Sequence, residues 1–496
     1  MKIEKVNILV IIVIFIFGCE KQPPEEELQK YSIFTSAGVG GTVNITTGLN
    51  SQGENLTIEA IAERGYVFNG WEGIDSQENV LEFSVQKSLS LKATFKLNVI
   101  ELNSNVPYLV EDLVDNSGFI LAIENGKQVC YLIDHRGVKQ KTWNFELNLG
   151  QDAELAPDGS LYALFQVPND NFGFGGKSGL IRKIGVNNEV LWEFQISSET
   201  EITHHDLELM PNGNLLVLLW YRIPKDEAKL IGFQSETDIY VEKIVEVNPS
   251  LNKIVWEWNS WDHIIQNVEP NHPTFGDPSL NRKKIDIFYN YQSDYHQFIS
   301  KGDLMHANGL AYLESRDIIA VSVNFYNEVW FIDHSTTTEE AKGSSGGQFQ
   351  NGGDLIYRFG NPKTFKDASP KILDLNHHPS FVSNQGLVNF MIFNNNNAEG
   401  KSKAMEFELP FFSNNMEIGP NPKIVFEYSN QDLFFNIVGS AMRLPNGNTL
   451  ICEGDFGFWE VNSSGTLLWK YDGLGATFWR GIFYPKNSDA ILNLNL

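Results

Sequence analysis

The sequence predicts an all-β chain, a six-bladed β-propeller preceded by a small β module. Three observations point there. A strand–turn–strand unit with a distinctive first residue recurs from about residue 150 onward. Each copy is followed by a second apolar hairpin that ends on aromatic residues. Residues 31–97 alternate apolar and polar positions between glycines, the pattern of short strands.

The elements follow in chain order. Lys2 and Lys5 precede an apolar run from Val6 to Phe17, then Gly18 and Cys19. A charged start and a short apolar core predict a secretory signal over residues 1–18, since the run is short for a membrane span. Ile16-Phe17-Gly18-Cys19 resembles a bacterial lipobox, in which the cysteine becomes the lipidated first residue. The resemblance implies lipidation at Cys19 and a place in the bacterial cell envelope, at the outer membrane and facing periplasm or surface. The membrane would be touched through the lipid alone. The competing reading is an N-terminal anchor helix with an incidental cysteine. Residues 19–30 are rich in Pro and Glu and predict an extended tether.

Within 31–97, Gly40-Gly41-Thr42-Val43, the stretch from Leu56 to Ala60, the stretch from Gly65 to Trp71 and the closing Ser90 to Phe95 predict short antiparallel strands. The segment from Gly65 to Gly73 and the terminal Lys92-Ala93-Thr94-Phe95 resemble bacterial B-repeat modules of surface proteins. Phe68 and Trp71 are expected in the core of a spacer; a glycan- or wall-binding module is the alternative.

In residues 98–496 the repeat starts are Gln151, His205, His306, His378 and Gly439. In four of these copies a turn glycine follows eight residues on, at Gly159, Gly213, Gly386 and Gly447. Gly118 begins a weaker sixth copy. The accompanying hairpins run from Tyr131 to Trp143, Ile181 to Trp192, Ile244 to Trp256, Val329 to Tyr357, Met405 to Phe426 and Phe458 to Trp469. Two hairpins per unit make four strands, and six such units predict six blades. A blade cannot bury both faces alone, so the ring must close, with residues 100–125 helping to close it.

Charge narrows the function. There are 37 Lys and Arg against 62 Asp and Glu, a net charge of −25. That excludes a nucleic-acid partner, which needs a basic face. Three cysteines exclude a disulfide scaffold, and Cys130 and Cys452, in apolar runs, are expected as buried thiols, with a disulfide between them as the alternative in an oxidising compartment.

In a propeller the first strand of each blade lines the central channel. His205, His306 and His378 share one register of the repeat and are therefore expected around one funnel. His204 and His377 stand beside two of them. The loop from Asn259 to Asp303 carries Trp261, Phe275, Phe288, Tyr289, Tyr291, Tyr295 and Phe298. It is expected on the histidine face, as a lid or wall for flat substrates or as a self-packed cap. The Gly-rich segment Gly343–Gly353 is expected on the far face, with no Gly-Lys-Ser/Thr to make a phosphate loop.

Three imidazoles support two chemistries. They bind zinc, copper or iron, or they carry a group transfer, because neutral imidazole is a nucleophile and imidazolium offsets oxyanion charge. A non-catalytic surface-ligand propeller is the third class. Five strings bear on the choice: residues 204–214, 305–312, 329–338, 443–454 and Asp354 to Pro362, followed by a final Phe478 to Tyr484. From about residue 150 to 485 these resemble, in order, the arylsulfotransferase family. The resemblance implies a six-bladed envelope propeller without a cofactor. Such an enzyme moves a sulfuryl group from an aryl sulfate donor to a phenolic acceptor, by a ping-pong path through a sulfohistidine. Carried over residue by residue, it implies His378 as nucleophile, with His377 as the alternative in the irregular string Asn376-His377-His378-Pro379. His205 and His306 would contact sulfate and exchange protons. His204, Asn308, Asn324, Arg443 and Arg480 would make the substrate contacts. Some members carry Arg eighteen residues after the second motif histidine; Asn324 stands there, so Arg443 or Arg480 is the candidate for the anion contact.

Overall fold

Alternation between apolar and polar positions becomes strand almost throughout: the chain is all-β, with 47% of residues in strands and 6% in helices. The computed structural model describes residues 28–45, 47–384, 387–410, 418–419 and 421–496, with side chains 383–387 set aside. The signal segment, Cys19, nearly all of the acidic tether and the turn at Gly386 lie outside the described residues. Among the described residues no helix is long and apolar enough to cross a membrane. The chain divides into two compact units, one ending at Asn98 and one spanning Val99–Leu496.

The first unit has two sheets. Strands Gly48–Ser51, Lys30–Ala37, Leu89–Leu97 and Tyr66–Glu72 form one; Gly41–Val43, Asn55–Ala62 and Val80–Ser84 form the other. The expectation of antiparallel strands fails at one place: Lys30–Ala37 and Leu89–Leu97 pair in parallel. The intervening sheet supplies the crossover that a parallel pair requires. Ile33, Ile58, Trp71, Leu81 and Leu91 are buried in the core. Trp71 donates its indole N–H to Glu78 O at 2.9 Å, and Phe68 packs against it at 5.6 Å.

The second unit is built of antiparallel four-stranded sheets. The second sheet runs Leu149–Leu155, Leu161–Gln166, Gly179–Ile184, Val190–Gln195, and the third Glu201–Leu209, Leu215–Ile223, Ile239–Asn248, Lys253–Asn259. The fourth is Ala307–Leu313, Ile318–Val323, Glu328–Asp333, Tyr357–Phe359. The fifth is Asn376–Asn384, Leu387–Asn394, Lys403–Glu408, Lys423–Tyr428. The sixth is Gly439–Arg443, Thr449–Glu453, Gly457–Val461, Leu467–Asp472, with Tyr108–Leu109 added at its outer edge. The first sheet joins the two ends of the unit: Phe478–Pro485 pairs with Gly118–Glu124, followed by Val129–Ile133 and Lys139–Asn144. Gly118 therefore does not begin a leading strand. That place belongs to Phe478–Pro485, because only a strand from the chain's other end can complete a sheet begun with three strands.

The leading strands touch in sequence: Leu149–Leu155 meets Glu201–Leu209, then Ala307–Leu313, Asn376–Asn384, Gly439–Arg443 and Phe478–Pro485, which returns to Leu149–Leu155. No described sheet closes on itself by hydrogen bonds. The sheets bury Trp143, Trp220, Trp258, Trp330, Trp459 and Trp469 between them. Cys130 and Cys452 are buried free thiols.

Candidate functional site

The repeat register read from sequence is a backbone device. Gln151, His205, His306, His378 and Gly439 all take positive φ, at 101°, 55°, 53°, 49° and 150°. Strand pairing breaks around three of them, between Leu149 and Ala153, Thr203 and Leu207, and His377 and Ser380. Such bulges re-aim side chains. A non-glycine residue there costs on the order of 1 kcal/mol, so neighbours must hold it. At His205 they do: its N–H donates to Gly176 O at 2.9 Å. Gly176, itself at φ 91°, lies so close that a Cβ would stand 2.2 Å from the His205 ring.

The His205 and His306 rings stand 4.8 Å apart at 77°. Each has one nitrogen engaged from behind. His306 Nδ1 lies 2.5 Å from Asp303 Oδ2 and its backbone N–H donates to Asp303 Oδ1 at 3.1 Å. Its ring stacks on Phe325 at 4.6 Å and 10°. His205 Nδ1 lies 2.8 Å from Nδ1 of His204, whose Nε2 lies 3.0 Å from Glu242 Oε2. His204 is fully buried and stacked on Trp220 at 4.0 Å. It was expected to touch substrate and instead backs His205, because successive strand residues face opposite ways.

The fifth sheet reverses the expected order of its two histidines. His377 Nδ1 lies 2.7 Å from Asn395 Oδ1 and 3.1 Å from Leu375 O. Its ring packs edge-on to Trp479 at 6.0 Å, and Trp479 lies 5.6 Å from His205. His378 was expected beside His205 and His306. Its Nδ1 instead lies 3.2 Å from Ala441 O of the sixth sheet, and among the described residues no ring contact or hydrogen bond joins it to either. The cause is the bulge: His377 stays paired with Phe393, and the extra residue before Ser380 turns His378 toward the sixth sheet. His205 and His306 are thus in direct ring contact, and His377 meets His205 only across Trp479.

Burial keeps the rings of His204, His205, His377 and His378 neutral. It pulls His204 down to about 3 and His377 to about 4, and holds His205 and His378 well below the ordinary imidazole value. Charge on His306 acts in the same direction on His204, His205 and His377. Arg480 acts so on His205, His377 and His378. The guanidinium of Arg480 is itself bound, to Asp206 at 2.9 and 3.0 Å and Asp152 at 3.3 Å. Its two terminal nitrogens are engaged by these carboxylates, while its buried Nε has no hydrogen-bond partner among the described residues. Burial lifts the carboxyls of Asp152 and Glu154 well above their usual range and that of Glu208 to about 8.

Three expected substrate contacts have other duties. Asn308 and Asn324 donate to Asn376 O at 2.9 and 3.2 Å, joined by Ser322 at 3.1 Å. These donors from the fourth sheet clamp the carbonyl just before His377. Arg443 binds Glu406, Gly447 O and Thr449 Oγ1 and lies 4.5 Å over Phe426, among side chains distinct from the histidine set.

The loop from Asn259 to Asp303 does two jobs. Its first part runs along the outer edge of the fourth sheet, where Lys283 O accepts from Leu355 and Lys284 O from Arg358. There it meets the Gly-rich segment, through Lys283 to Asn351 and Lys284 to Ser344, both under 3 Å. The two were expected on opposite faces; a short outer strand, Tyr357–Phe359, leaves an edge for the loop to cover. Its last part reaches the site: Phe298 lies 5.6 Å and His296 6.4 Å from His306. Asp303, Glu242, Trp220, Trp479 and His296 escaped sequence reasoning. Asp303, three residues before His306, carried a local signal; the others meet the site only through folding.

Among the described residues no three His, Cys, Asp or Glu side chains are grouped to hold a metal ion. The metal-site reading therefore finds no ligand set there.

With this geometry in hand, relatives can be placed. The family model Arylsulfotransferase (ASST) matches residues 152–473, more than half of the chain. The chain belongs to the arylsulfotransferase family. Membership in the arylsulfotransferase family points to a sulfotransferase enzyme acting on aryl sulfates and phenols. Residues 31–99 match the divergent InlB B-repeat domain. No curated protein matches the chain. Similar solved structures include a protein of unknown function from Bacteroides caccae, 11% identical at TM-score 0.44, covering 74% of this chain and 98% of that one. Hydrazine synthase of Kuenenia stuttgartiensis is 11% identical at TM-score 0.32, covering 79% and 98%. The Dos1 propeller is 10% identical at TM-score 0.32, covering 72% and 84%.

Proposed function

We propose that the six sheets are blades of a propeller and that the chain transfers a sulfuryl group from an aryl sulfate to a phenol through a sulfohistidine at His377. The observation that carries this is the His205–His306 ring pair with His377 across Trp479, each ring having Nδ1 engaged and, among the described residues, no hydrogen bond at Nε2. Asn395 and Leu375 offer only oxygen to Nδ1 of His377, so that nitrogen holds the proton and Nε2 keeps a lone pair. Burial keeps the ring an uncharged nucleophile at neutral pH.

In the first half-reaction the Nε2–S bond forms as the bond from sulfur to the aryl oxygen breaks. A phenol has a pKa near 10, so the departing oxygen takes a proton from a neighbouring imidazole. In the second, the acceptor oxygen attacks sulfur, the N–S bond breaks, and the acceptor's proton goes to an imidazole. Asp303 orients His306 and stabilises positive charge as it develops there. Buried Trp220, Trp479 and Phe325 pack the imidazoles in place, and half-buried Phe298, 5.6 Å from His306, is the aromatic ring that suits a flat aryl group.

Exposure to an aryl sulfate with no acceptor is expected to add about 80 Da to the intact protein, on His377 by fragmentation. Binding without an adduct would remove the covalent path; an adduct on His378 would move the nucleophile by one residue. Lipid tethering at Cys19 in the cell envelope, with 31–97 as a spacer, completes the proposal. The lysines and apolar run before Cys19 support it, and the mass of the mature N-terminus tests it.

A further inference from the structure

We infer that buried Glu242, acting through His204 and His205, stores the proton that the departing aryl oxide takes and the acceptor phenol returns. This inference rests on the transfer reading above and adds to it the source and destination of that proton.

The geometry is a continuous line. Glu242 Oε2 lies 3.0 Å from His204 Nε2, and His204 Nδ1 lies 2.8 Å from His205 Nδ1. The His205 ring stands 4.8 Å from that of His306, and among the described residues no hydrogen bond engages its Nε2. Two imidazoles meeting Nδ1 to Nδ1 must have one donor and one acceptor, so the state of one fixes the other. With Glu242 protonated, its O–H donates to His204 Nε2, His204 Nδ1–H donates to His205 Nδ1, and His205 carries its proton on Nε2. With Glu242 ionised every link reverses, and His205 Nε2 is a bare lone pair. Glu242 Oε1 accepts from Ala307 N–H at 2.8 Å in both states, which ties the carboxyl to the strand beside His306.

The proton balance closes over the two half-reactions. As the S–O bond to the aryl group breaks, His205 Nε2–H passes its proton to the aryl oxygen. His204 Nδ1–H then moves to His205 Nδ1, and the Glu242 proton moves to His204 Nε2. Phenol leaves, and the sulfo-enzyme holds Glu242 as carboxylate. The acceptor phenol reverses each step as its oxygen takes the sulfuryl group. Neither imidazole is ever charged between steps.

The surroundings favour a carboxyl over an imidazolium as the store. Burial and the charge of Asp303 raise Glu242 well above the usual range, against the pull of Ala307 N–H and His306. Burial holds His204 at about 3. The titratable and charged groups facing the line are Asp303 and His306 at Glu242, His306, Asp303 and Asp206 at His204, and His306, His377 and Arg480 at His205.

Two measurements test this. Nitrogen-15 spectra of the resting, unaltered protein near neutral pH are expected to place protons on His205 Nε2 and His204 Nδ1. The reverse pattern would overturn the loaded store, and this readout needs no turnover. In Glu242→Gln the amide still accepts from Ala307 and donates to His204 but has no proton to give. Single-turnover transfer from sulfates of weakly acidic phenols is expected to fall about a hundredfold, while a nitrophenyl sulfate changes little. An equal loss across all leaving groups would mark Glu242 as structural only and overturn the inference. A wild-type protein that forms no adduct but shows the expected protons would sink the transfer reading and leave the hydrogen-bond line standing.

Discussion

At positions 377 and 378 a one-residue bulge sets two adjacent imidazoles in different surroundings. His377 hands its Nδ1 proton to Asn395 and Leu375 and faces the Trp479 side. His378 spends its Nδ1 on the Ala441 carbonyl. His377→Asn is expected to lower kcat on the order of a thousandfold or more, as loss of a nucleophile does, and to abolish the sulfuryl adduct. His378→Asn is expected to stay within about tenfold, since it loses only the hydrogen bond to a neighbouring sheet. Turnover of a nitrophenyl sulfate with a phenol acceptor reads both, and the opposite ranking would restore His378.

The elements carry these residues because each leading strand is interrupted where the site needs a side chain turned. Gly176 is part of that interruption in the third sheet, since His205 rests on its backbone. Gly176→Ala meets two obstacles: positive φ, costing about 1 kcal/mol, and a methyl where the imidazole now lies. The expected result is a modest drop in the urea midpoint with a much larger drop in kcat/KM; unchanged kcat/KM would mean that the ring position is not what Gly176 secures. The repeat was legible in sequence because its turns, such as Pro211-Asn212-Gly213 and Pro445-Asn446-Gly447, are local chemistry written in adjacent residues. His205 and His306 could be paired for the same reason. The different surroundings of His377 and His378 were not legible beyond the two being alternatives, because a bulge shifts facing without changing composition. Nor was the loop along the outer edge of the fourth sheet, which depends on the shortness of Tyr357–Phe359. Asn308 and Asn324 were expected as substrate contacts, yet their amides serve a carbonyl that only folding brings to them.

At the scale of the whole second unit, one strand from the C-terminal end both completes the first sheet and reaches the site. Phe478–Pro485 pairs with Gly118–Glu124 and carries Trp479 between His205 and His377. Its Arg480 joins Asp206 of the third sheet and Asp152 of the second. Three sheets therefore meet on one buried guanidinium, 3% exposed. Arg480→Leu leaves two buried carboxyls without their cation, which costs about 3–5 kcal/mol at neutral pH. Removing the guanidinium, which pulls Asp152 down, lifts that carboxyl further above the usual range where burial already holds it. A carboxyl raised in this way binds more protons folded than unfolded above pH 4, so stability falls as pH rises through that range. The deficit of Arg480→Leu against the unaltered protein is expected to be smaller near pH 5 than near pH 8, read as the difference in urea midpoints. A deficit independent of pH would mean that packing around Trp479, and not the charge of Arg480, joins the terminal strand to its neighbours.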